Sequence, residues 1–194
     1  MGLRPYARGM SSDLSALLAE RGAVMNGHFQ FASGRHGEVY IEKFRILQWP
    51  DVTTPLCAMM AEHFRGKVNT IVGPTTGGAI LSFEVARQLG LRSLIAERND
   101  DGPGREFKRG FTLGAGDRVL IVDDVLTTGG SIRDVIDAVA EKGAELVGVA
   151  VLVDRTNGKV DFGTQFFACI PVNVESFDPA DCQLCRDGVS LKIT

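Results

Sequence analysis

The sequence has no apolar run that approaches the roughly 20 residues of a membrane-spanning helix. Its longest strongly apolar stretches, 119–122 and 147–153, are far shorter. It also has no excess of positive charge, because 24 acidic residues outnumber 21 basic ones and give a formal net charge of −3. A general nucleic-acid-binding protein is more often basic. We therefore expect neither a membrane nor a nucleic acid among the partners of this chain.

Cysteine is scarce, with four residues in 194, which is not the dense pattern of a disulfide-stapled secreted domain. The segment 1–9 contains two arginines but no apolar run behind them, so it does not resemble a secretory signal. These two features predict a cytoplasmic protein whose thiols are mostly reduced.

Cys182 and Cys185 are the one pair of cysteines that lie close together in the sequence. They leave three interpretations open: half of a zinc site, a disulfide or redox pair, and simple packing, which we favour. Zinc normally takes four ligands, and the chain has no second close cysteine pair, so a zinc site shared between subunits is the form we consider. The histidines, His28, His36 and His63, are scattered, and we expect His36 in an exposed turn.

What is present is typical of a soluble globular protein, with 44% hydrophobic and 23% charged residues. Hydrophobic patterning predicts a repeated order of strand, loop and helix. Strands are predicted at 68–72, 92–96, 118–122 and 145–153, with helices at 79–89 and 131–142. Further predictions are a helix at 13–21, two short strands within 29–44, and a helix that follows Pro50 with Asp51 as its cap. The repetition implies parallel strands joined by crossover helices, which is an α/β fold.

Two segments interrupt this pattern. Residues 97–110 contain eight charged residues, three glycines and a proline, so we expect a long mobile loop outside the core. The tail, 177–194, is predicted to be short and irregular. Trp49 is expected to pack at a helix boundary or a subunit contact.

The strongest functional signal is the run Val119-Leu120-Ile121-Val122-Asp123-Asp124-Val125-Leu126-Thr127-Thr128-Gly129-Gly130-Ser131. A buried strand ends in two carboxylates, and small hydroxyl and glycine residues then lead into a helix. Ligands of open parallel sheets bind at the carboxyl ends of the strands. Backbone N–H groups and a helix N-terminus suit a phosphate group, whereas the carboxylates suit sugar hydroxyls or a divalent cation.

The residues alone therefore predict a phosphorylated sugar, with its phosphate at 127–131 and its ribose at Asp123 and Asp124. The alternative is a sharp strand-to-helix turn with capping residues, which needs one Asp or Ser rather than the whole set. A Walker loop is excluded because Gly-Lys occurs only at 66–67 and 158–159. A dinucleotide fingerprint is excluded because no Gly-x-Gly-x-x-Gly follows a strand.

The segment 123–131 resembles the phosphoribosyl-pyrophosphate motif of the type I phosphoribosyltransferases. Other positions resemble the orotate phosphoribosyltransferase family within that group. They are Phe31-Ala32-Ser33-Gly34-Arg35 with Tyr40, the loop Gly73-Pro74-Thr75-Thr76-Gly77-Gly78, Arg155, and the tail Asp181-Cys182-Gln183-Leu184-Cys185. The resemblance implies a mainly parallel sheet flanked by helices, in a single domain over 1–194. A small N-terminal hood would be formed mainly by 1–45, and the core would span 50–175.

The resemblance also implies a reaction in pyrimidine biosynthesis. Orotate and phosphoribosyl pyrophosphate would give orotidine 5′-monophosphate and pyrophosphate, with Mg²⁺ bound mainly through the substrate. By this resemblance, phosphoribosyl pyrophosphate would be bound by Asp123, Asp124, Val125, Leu126, Thr127, Thr128, Gly129, Gly130, Ser131, Thr75, Thr76 and Arg98. Orotate would be bound by Thr127, Arg155 and Tyr40. The catalytic residues would be Asp123, Asp124, Arg98 and Lys108.

In this family a lid closes over the site and reaches the active site of the neighbouring subunit of a homodimer, and 97–110 matches that lid. The segment departs from the usual pattern because it has no histidine, and Ala32 and Gly77 stand where many members have lysine. The candidates to replace these cations are Lys43, Arg98, Arg105, Lys108 and Arg109. Two other functions stay open: a purine or uracil phosphoribosyltransferase, and a non-catalytic nucleotide-sensing regulator with the same fold.

Overall fold

A computed structural model describes residues 12–31, 33–156, 158–171 and 176–194. The helices are α1 (Ser12–Glu20), α2 (Lys43–Leu47), α3 (Pro50–Phe64), α4 (Gly77–Leu89), α5 (Gly130–Glu141) and α6 (Gln183–Arg186), with a 3₁₀ turn at Pro179–Asp181. The strands are β1 (Val24–Gln30), β2 (His36–Ile41), β3 (Thr70–Pro74), β4 (Arg92–Arg98), β5 (Arg105–Glu106), β6 (Arg118–Leu126), β7 (Glu145–Asp154), β8 (Gln165–Pro171) and β9 (Leu191–Ile193). None of the helices in these ranges is long and apolar enough to cross a bilayer.

The larger sheet has the strand order β5-β4-β3-β6-β7-β8. Its five long strands are parallel, and β5 pairs antiparallel with β4 at the edge. The four predicted core strands and their crossover helices are confirmed, with boundaries that shift by a few residues. The strand β8 was not predicted, because 165–171 follows a glycine-containing loop and carries no adjoining helix to mark it.

Helices cover this sheet on both faces, and β6 shows how one strand serves both. Leu120 and Val122 pack into the core beneath α3 and α4. Val119 and Ile121 pack instead into the core beneath α5. Alternate residues of a strand point to opposite faces, so a strand covered on both sides must be apolar throughout. This coverage on both faces explains why the core strands are continuous apolar runs in the sequence, without alternating polar residues.

A second, three-stranded sheet has the order β2-β1-β9. Its first two strands are antiparallel, and β9 joins β1 in parallel. Two predictions are corrected here. The first strand of the predicted pair begins at Val24 rather than near Phe29, and the tail is not irregular, because its last residues complete this sheet. We call this sheet the hood; Ala32 and residues 1–11 lie outside the described residues.

The segment 97–110 forms a short hairpin at the edge of the larger sheet rather than a free loop. Glu97 and Arg98 pair with Glu106 and Arg105. Arg105 is only 7% exposed, so the expectation that the whole segment lies outside the core is wrong at this position. The sequence could not single out Arg105, because one buried arginine among eight charged residues leaves no signal in the hydrophobic pattern.

The start of α3 also differs from the prediction. Pro50 occupies the first turn and Trp49 is the N-cap residue, without a side-chain hydrogen bond, so Asp51 is not the cap. Proline fits the first turn because the N–H that it lacks has no partner there. Trp49 does lie at this helix boundary, with the Arg21 guanidinium 4.3 Å from its ring centre.

Candidate active site

Two adjacent carboxylates lie near the carboxyl end of β6. Asp123 and Asp124 belong to the strand itself, which continues to Leu126 rather than ending at Val122. Both residues are buried, with 8% and 5% exposure. Asp123 Oδ1 accepts a hydrogen bond of 2.8 Å from the backbone N–H of Asp124. The structure thus holds two acidic groups side by side where a parallel sheet binds its ligands.

Burial of this pair has an electrostatic cost that falls on Asp123. Its pKa is raised from 3.8 to about 7, first by desolvation and then by repulsion from Asp124. Lys43 and Arg105 oppose this rise through their positive charge. A ligand that brings hydroxyl donors or positive charge to Asp123 would favour its ionised form.

Lys43, at the start of α2, reaches across to the same carboxylate pair. Its Nζ lies 3.1 Å from Asp124 Oδ1 and 3.0 Å from Oδ2. The contact joins the hood side of the molecule to the end of the central strand. The sequence named Lys43 as a candidate to replace missing lysines but did not predict this partner, because the two residues are 81 positions apart.

The turn after β6 leads directly into α5. Gly129 is the N-cap residue with a left-handed backbone, φ 82°, and it makes no side-chain capping bond. Thr127 and Thr128 are exposed beside it. The first N–H groups of α5 therefore have no capping side chain, and such a helix end attracts an anion through its N–H groups and its dipole.

Arg105 connects this turn to the loop that follows β3. Its Nη1 donates to Thr75 Oγ1 at 3.1 Å and to Ala96 O at 2.9 Å, and its Nη2 donates to Ser131 Oγ at 3.0 Å. Its Nε is buried and has no hydrogen-bond partner. Burial lowers the pKa of this guanidinium. A buried cation with a spare donor thus lies between two segments that were predicted to bind phosphates.

A third group of residues lies where the hood meets β7. Arg155 follows β7, and its guanidinium carbon is 4.9 Å from the centre of the Phe31 ring. Burial lowers the Arg155 pKa, while the nearby Tyr40 acts in the opposite direction. Asp154 fixes the turn here by accepting hydrogen bonds from the N–H and hydroxyl of Thr156, at 2.8 and 2.7 Å. Nothing in the sequence predicted that the Arg155 guanidinium would lie over the Phe31 ring.

The remaining predicted residues lie apart from these contacts. The Lys108 ammonium pairs within the hairpin with Asp100 and Glu106, at 2.7 and 3.3 Å. Arg109 pairs with Glu97, and Arg98 is exposed. Among the described residues, the ion-pair partners of Lys108 and Arg109 are acidic groups of the hairpin rather than Asp123 or Asp124.

One sequence expectation about the histidines is wrong. His36 is not in an exposed turn, because it begins β2 and is 4% exposed. His28 on β1 is also buried, and the two rings are in contact, with His28 Nε2 3.0 Å from His36 Nδ1. Strand pairing brings them together across eight positions of sequence, and this proximity was missed.

Comparison with known proteins relates this geometry to a family. Residues 45–180 match the family described as the phosphoribosyl transferase domain. The orotate phosphoribosyltransferase of Desulforamulus reducens is 44% identical over 174 residues, which cover 89% of this chain and 90% of that protein. The orotate phosphoribosyltransferase of Caldanaerobacter subterraneus subsp. tengcongensis is 41% identical over 169 residues, which cover 87% and 88%.

A solved structure agrees with these relatives. The crystal structure of orotate phosphoribosyltransferase from Aeropyrum pernix has a TM-score of 0.68 and 28% identity, covering 80% of this chain and 92% of that one. The mainly parallel central sheet with its flanking helices is therefore the type I phosphoribosyltransferase fold. The chain belongs to the phosphoribosyl transferase family and, within it, to the orotate phosphoribosyltransferases.

Proposed function

We propose that this chain transfers a phosphoribosyl group from phosphoribosyl pyrophosphate to orotate, giving orotidine 5′-monophosphate and pyrophosphate for pyrimidine biosynthesis. The observation that supports this most directly is the placement of three groups along neighbouring strands. The buried carboxylates of Asp123 and Asp124 lie near the carboxyl end of β6, the uncapped N-terminus of α5 follows that strand, and Arg155 follows β7. These groups match a ribose, a phosphate and a carboxylate in that order.

In this proposal the carboxylate pair accepts hydrogen bonds from the ribose hydroxyls. The bond from the anomeric carbon to pyrophosphate breaks as the bond to a ring nitrogen of orotate forms, so positive charge develops on the ribose. Asp123 and Asp124 lie in a buried site, where a fixed negative charge stabilises that developing charge more strongly than in water. The raised pKa of Asp123 reflects the free-energy cost of keeping its carboxylate charged in this buried site before the ligand binds.

The turn 127–131 binds the 5′-phosphate in this proposal. Its contribution is an anchor remote from the breaking bond, which positions the ribose above the carboxylates. Thr75 and Thr76 lie in the loop between β3 and α4, and Thr75 shares Arg105 with Ser131. We therefore place the pyrophosphate near Thr75 and Arg105, with the spare buried Nε of Arg105 as an available donor.

Arg155 binds the carboxylate of orotate in this proposal. Its planar guanidinium donates two parallel hydrogen bonds, and its stacking on Phe31 holds that plane in place. Tyr40, which lies near Arg155 on the hood, and Thr127, on the phosphate turn, are the further orotate contacts of this proposal. The specificity for orotate over an uncharged nucleobase would come from Arg155.

Magnesium fits this site as a partner of the substrate. Asp123 and Asp124 are only two carboxylates, and within the described ranges no cluster of three or more acidic groups forms a dedicated cage. Mg²⁺ is usually held by one or two carboxylates together with substrate phosphates. When bound, it would neutralise charge on the departing pyrophosphate.

The hairpin at 97–110 completes the proposal. Arg98 and Lys108 would act on the pyrophosphate of a neighbouring subunit in a homodimer, as the resemblance implies. The ion pairs of Lys108 within the hairpin and the exposure of Arg98 are in keeping with groups that change partners when a lid closes. The four free cysteines suit the reducing cytoplasm, where we place the protein.

The deciding experiment follows orotate consumption by the purified protein with Mg²⁺ and phosphoribosyl pyrophosphate, in parallel with uracil, hypoxanthine and adenine. We expect turnover of orotate with stoichiometric release of pyrophosphate. Preference for another base would identify a different transferase. Tight RNA binding without pyrophosphate release would favour the regulator and overturn the proposal.

A further inference from the structure

The tail of the chain is held on the hood with almost no apolar burial. Of residues 176–194, Cys182 is the one buried residue, and the three residues of β9 are all exposed. The attachment uses main-chain hydrogen bonds, which are the pairing of β9 with β1, the two bonds between His36 and Phe177 and the bond from Thr194 to Gln30. One side-chain bond, from Arg35 to the hydroxyl of Ser176, adds to them. Because such bonds contribute little net stability in water, a segment with so little buried apolar surface needs another source of stability.

Four side chains converge where the tail meets the hood. His28 and His36 come from β1 and β2, and Cys182 and Cys185 come from the start of α6. One ligating atom from each lies within 4.8 Å of all the others. Cys182 Sγ is 3.4 Å from His28 Nε2, and Cys185 Sγ is 3.6 Å from His28 Nε2 and 3.3 Å from His36 Nδ1.

Hydrogen bonding alone does not account for this convergence. His28 Nδ1 lies 2.8 Å from the carbonyl oxygen of Val189, and a carbonyl only accepts, so Nδ1 carries the proton. In a neutral imidazole, which is the form that binds a metal, Nε2 then carries a lone pair and no proton. It nevertheless faces three polar atoms, on His36, Cys182 and Cys185, within 3.6 Å. One central cation would satisfy all four groups together.

We infer that these four residues bind a structural zinc ion that fastens the C-terminal tail to the hood. With Zn–N near 2.05 Å and Zn–S near 2.3 Å, a tetrahedral site places two nitrogens about 3.3 Å apart and a nitrogen and a sulfur about 3.6 Å apart. The observed separations of 3.0 to 3.6 Å are close to those edges.

The ligand set also selects the metal. Two thiolates and two imidazoles in tetrahedral array favour zinc over the oxygen-binding cations Mg²⁺ and Ca²⁺. A two-iron cluster would separate the sulfurs and the nitrogens onto different irons, whereas here each sulfur lies against a histidine nitrogen. The bond from His28 Nδ1 to Val189 is the outer contact that typically orients a zinc-bound histidine.

This site is separate from the proposed catalytic groups but supports the same hood. His36 begins β2, the strand that carries Tyr40, and β1 leads into Phe31, which stacks on Arg155. Zinc binding would therefore stabilise the folded hood, since a ligand that binds only the folded state raises its stability.

The test measures metal in untagged protein purified without chelators. We expect about one zinc per chain by mass spectrometry of the metal, released when the thiols are modified and detected with a chromogenic chelator. Apoprotein titrated with Co²⁺ should develop the intense visible bands of a tetrahedral site and a thiolate charge-transfer band at one equivalent. Chelation should lower the melting temperature of the wild-type protein.

Variants then locate the ion. Cys182→Ser with Cys185→Ser, and separately His36→Gln, should lose zinc and the cobalt bands. His63→Gln, which changes an exposed histidine outside the cluster, should retain both. Wild-type protein that holds neither zinc nor cobalt when reduced would overturn the inference, as would a Cys182–Cys185 disulfide in protein isolated under reducing conditions. Since these readouts need no substrate, they are independent of the proposed activity.

Discussion

The carboxylate of Asp124 occupies the space that a side chain at position 77 would need. A β-carbon built on Gly77 would lie 2.0 Å from Asp124 Oδ2 and 3.0 Å from Asp124 Cβ. Gly77 therefore belongs to a local arrangement in which the Asp124 carboxylate lies against the loop after β3 and pairs with Lys43.

Gly77→Ala tests this relationship. The added methyl group must displace the buried Asp124 carboxylate, and we expect kcat/KM for phosphoribosyl pyrophosphate to fall on the order of 100-fold, the cost of misplacing a positioned group by about 1 Å. Gly102→Ala is the matched control, because a β-carbon there meets nothing within 4 Å. Steady-state kinetics that show equal, small effects for both variants would contradict the packing argument.

The acidic pair is tested by Asp123→Asn combined with Asp124→Asn. Turnover should fall by on the order of 10³-fold, because the buried charges that stabilise the ribose cation are removed. The fold should persist, since neutral amides carry a smaller desolvation cost than buried carboxylates. Asp137→Asn on the exposed face of α5 serves as the control. Normal turnover in a folded double variant would refute the role given to these residues.

Arg155→Ala should separate the two substrates. Loss of charged hydrogen bonds of about 1.5–3 kcal/mol predicts a rise in KM for orotate of roughly 10- to 100-fold, with little change for phosphoribosyl pyrophosphate. Lys67→Ala removes a similar cation, 5.7 Å from the Phe64 ring, at the opposite end of the sheet and should affect neither constant. Equal increases for both substrates would contradict the assignment of Arg155 to orotate.

Arg105→Met tests the buried cation at the edge of the site. Its guanidinium joins Thr75 to Ser131, so we expect KM for phosphoribosyl pyrophosphate to rise about tenfold, which corresponds to about 1.4 kcal/mol. Arg65→Ala, which removes an exposed ion pair with Glu62 on α3, should change it much less. A purely structural Arg105 would lower the melting temperature and leave that KM unchanged.

The ionisation of Asp123 predicts a pH dependence of stability in the unliganded protein. Its pKa is about 7 in the folded state and about 3.9 in the unfolded chain. Between these values the folded protein holds a proton that the unfolded chain has lost, so the free energy of unfolding decreases as pH rises and levels off above about 7. Urea unfolding at several pH values should show this decrease in the wild type and a smaller one in Asp123→Asn. Identical slopes would show that Asp123 titrates normally.

Local patterns were sufficient to predict the core strands, their crossover helices and the segment 123–131. Each of these depends on contiguous residues, because a strand covered on both faces is apolar throughout and a phosphate turn needs glycine and hydroxyls in sequence. The position of Asp123 and Asp124 near a strand end was predicted for the same reason, although the strand continues past them.

What the sequence alone determined was the α/β pattern, the family resemblance and the position of an acidic pair near the end of one strand. Only the tertiary structure decided the partners of residues far apart in the chain: Lys43 with Asp124, Arg105 between Thr75 and Ser131, and the two histidines with the two tail cysteines. These contacts depend on strand pairing and on which segments the fold brings to one edge, and no local periodicity encodes such distances.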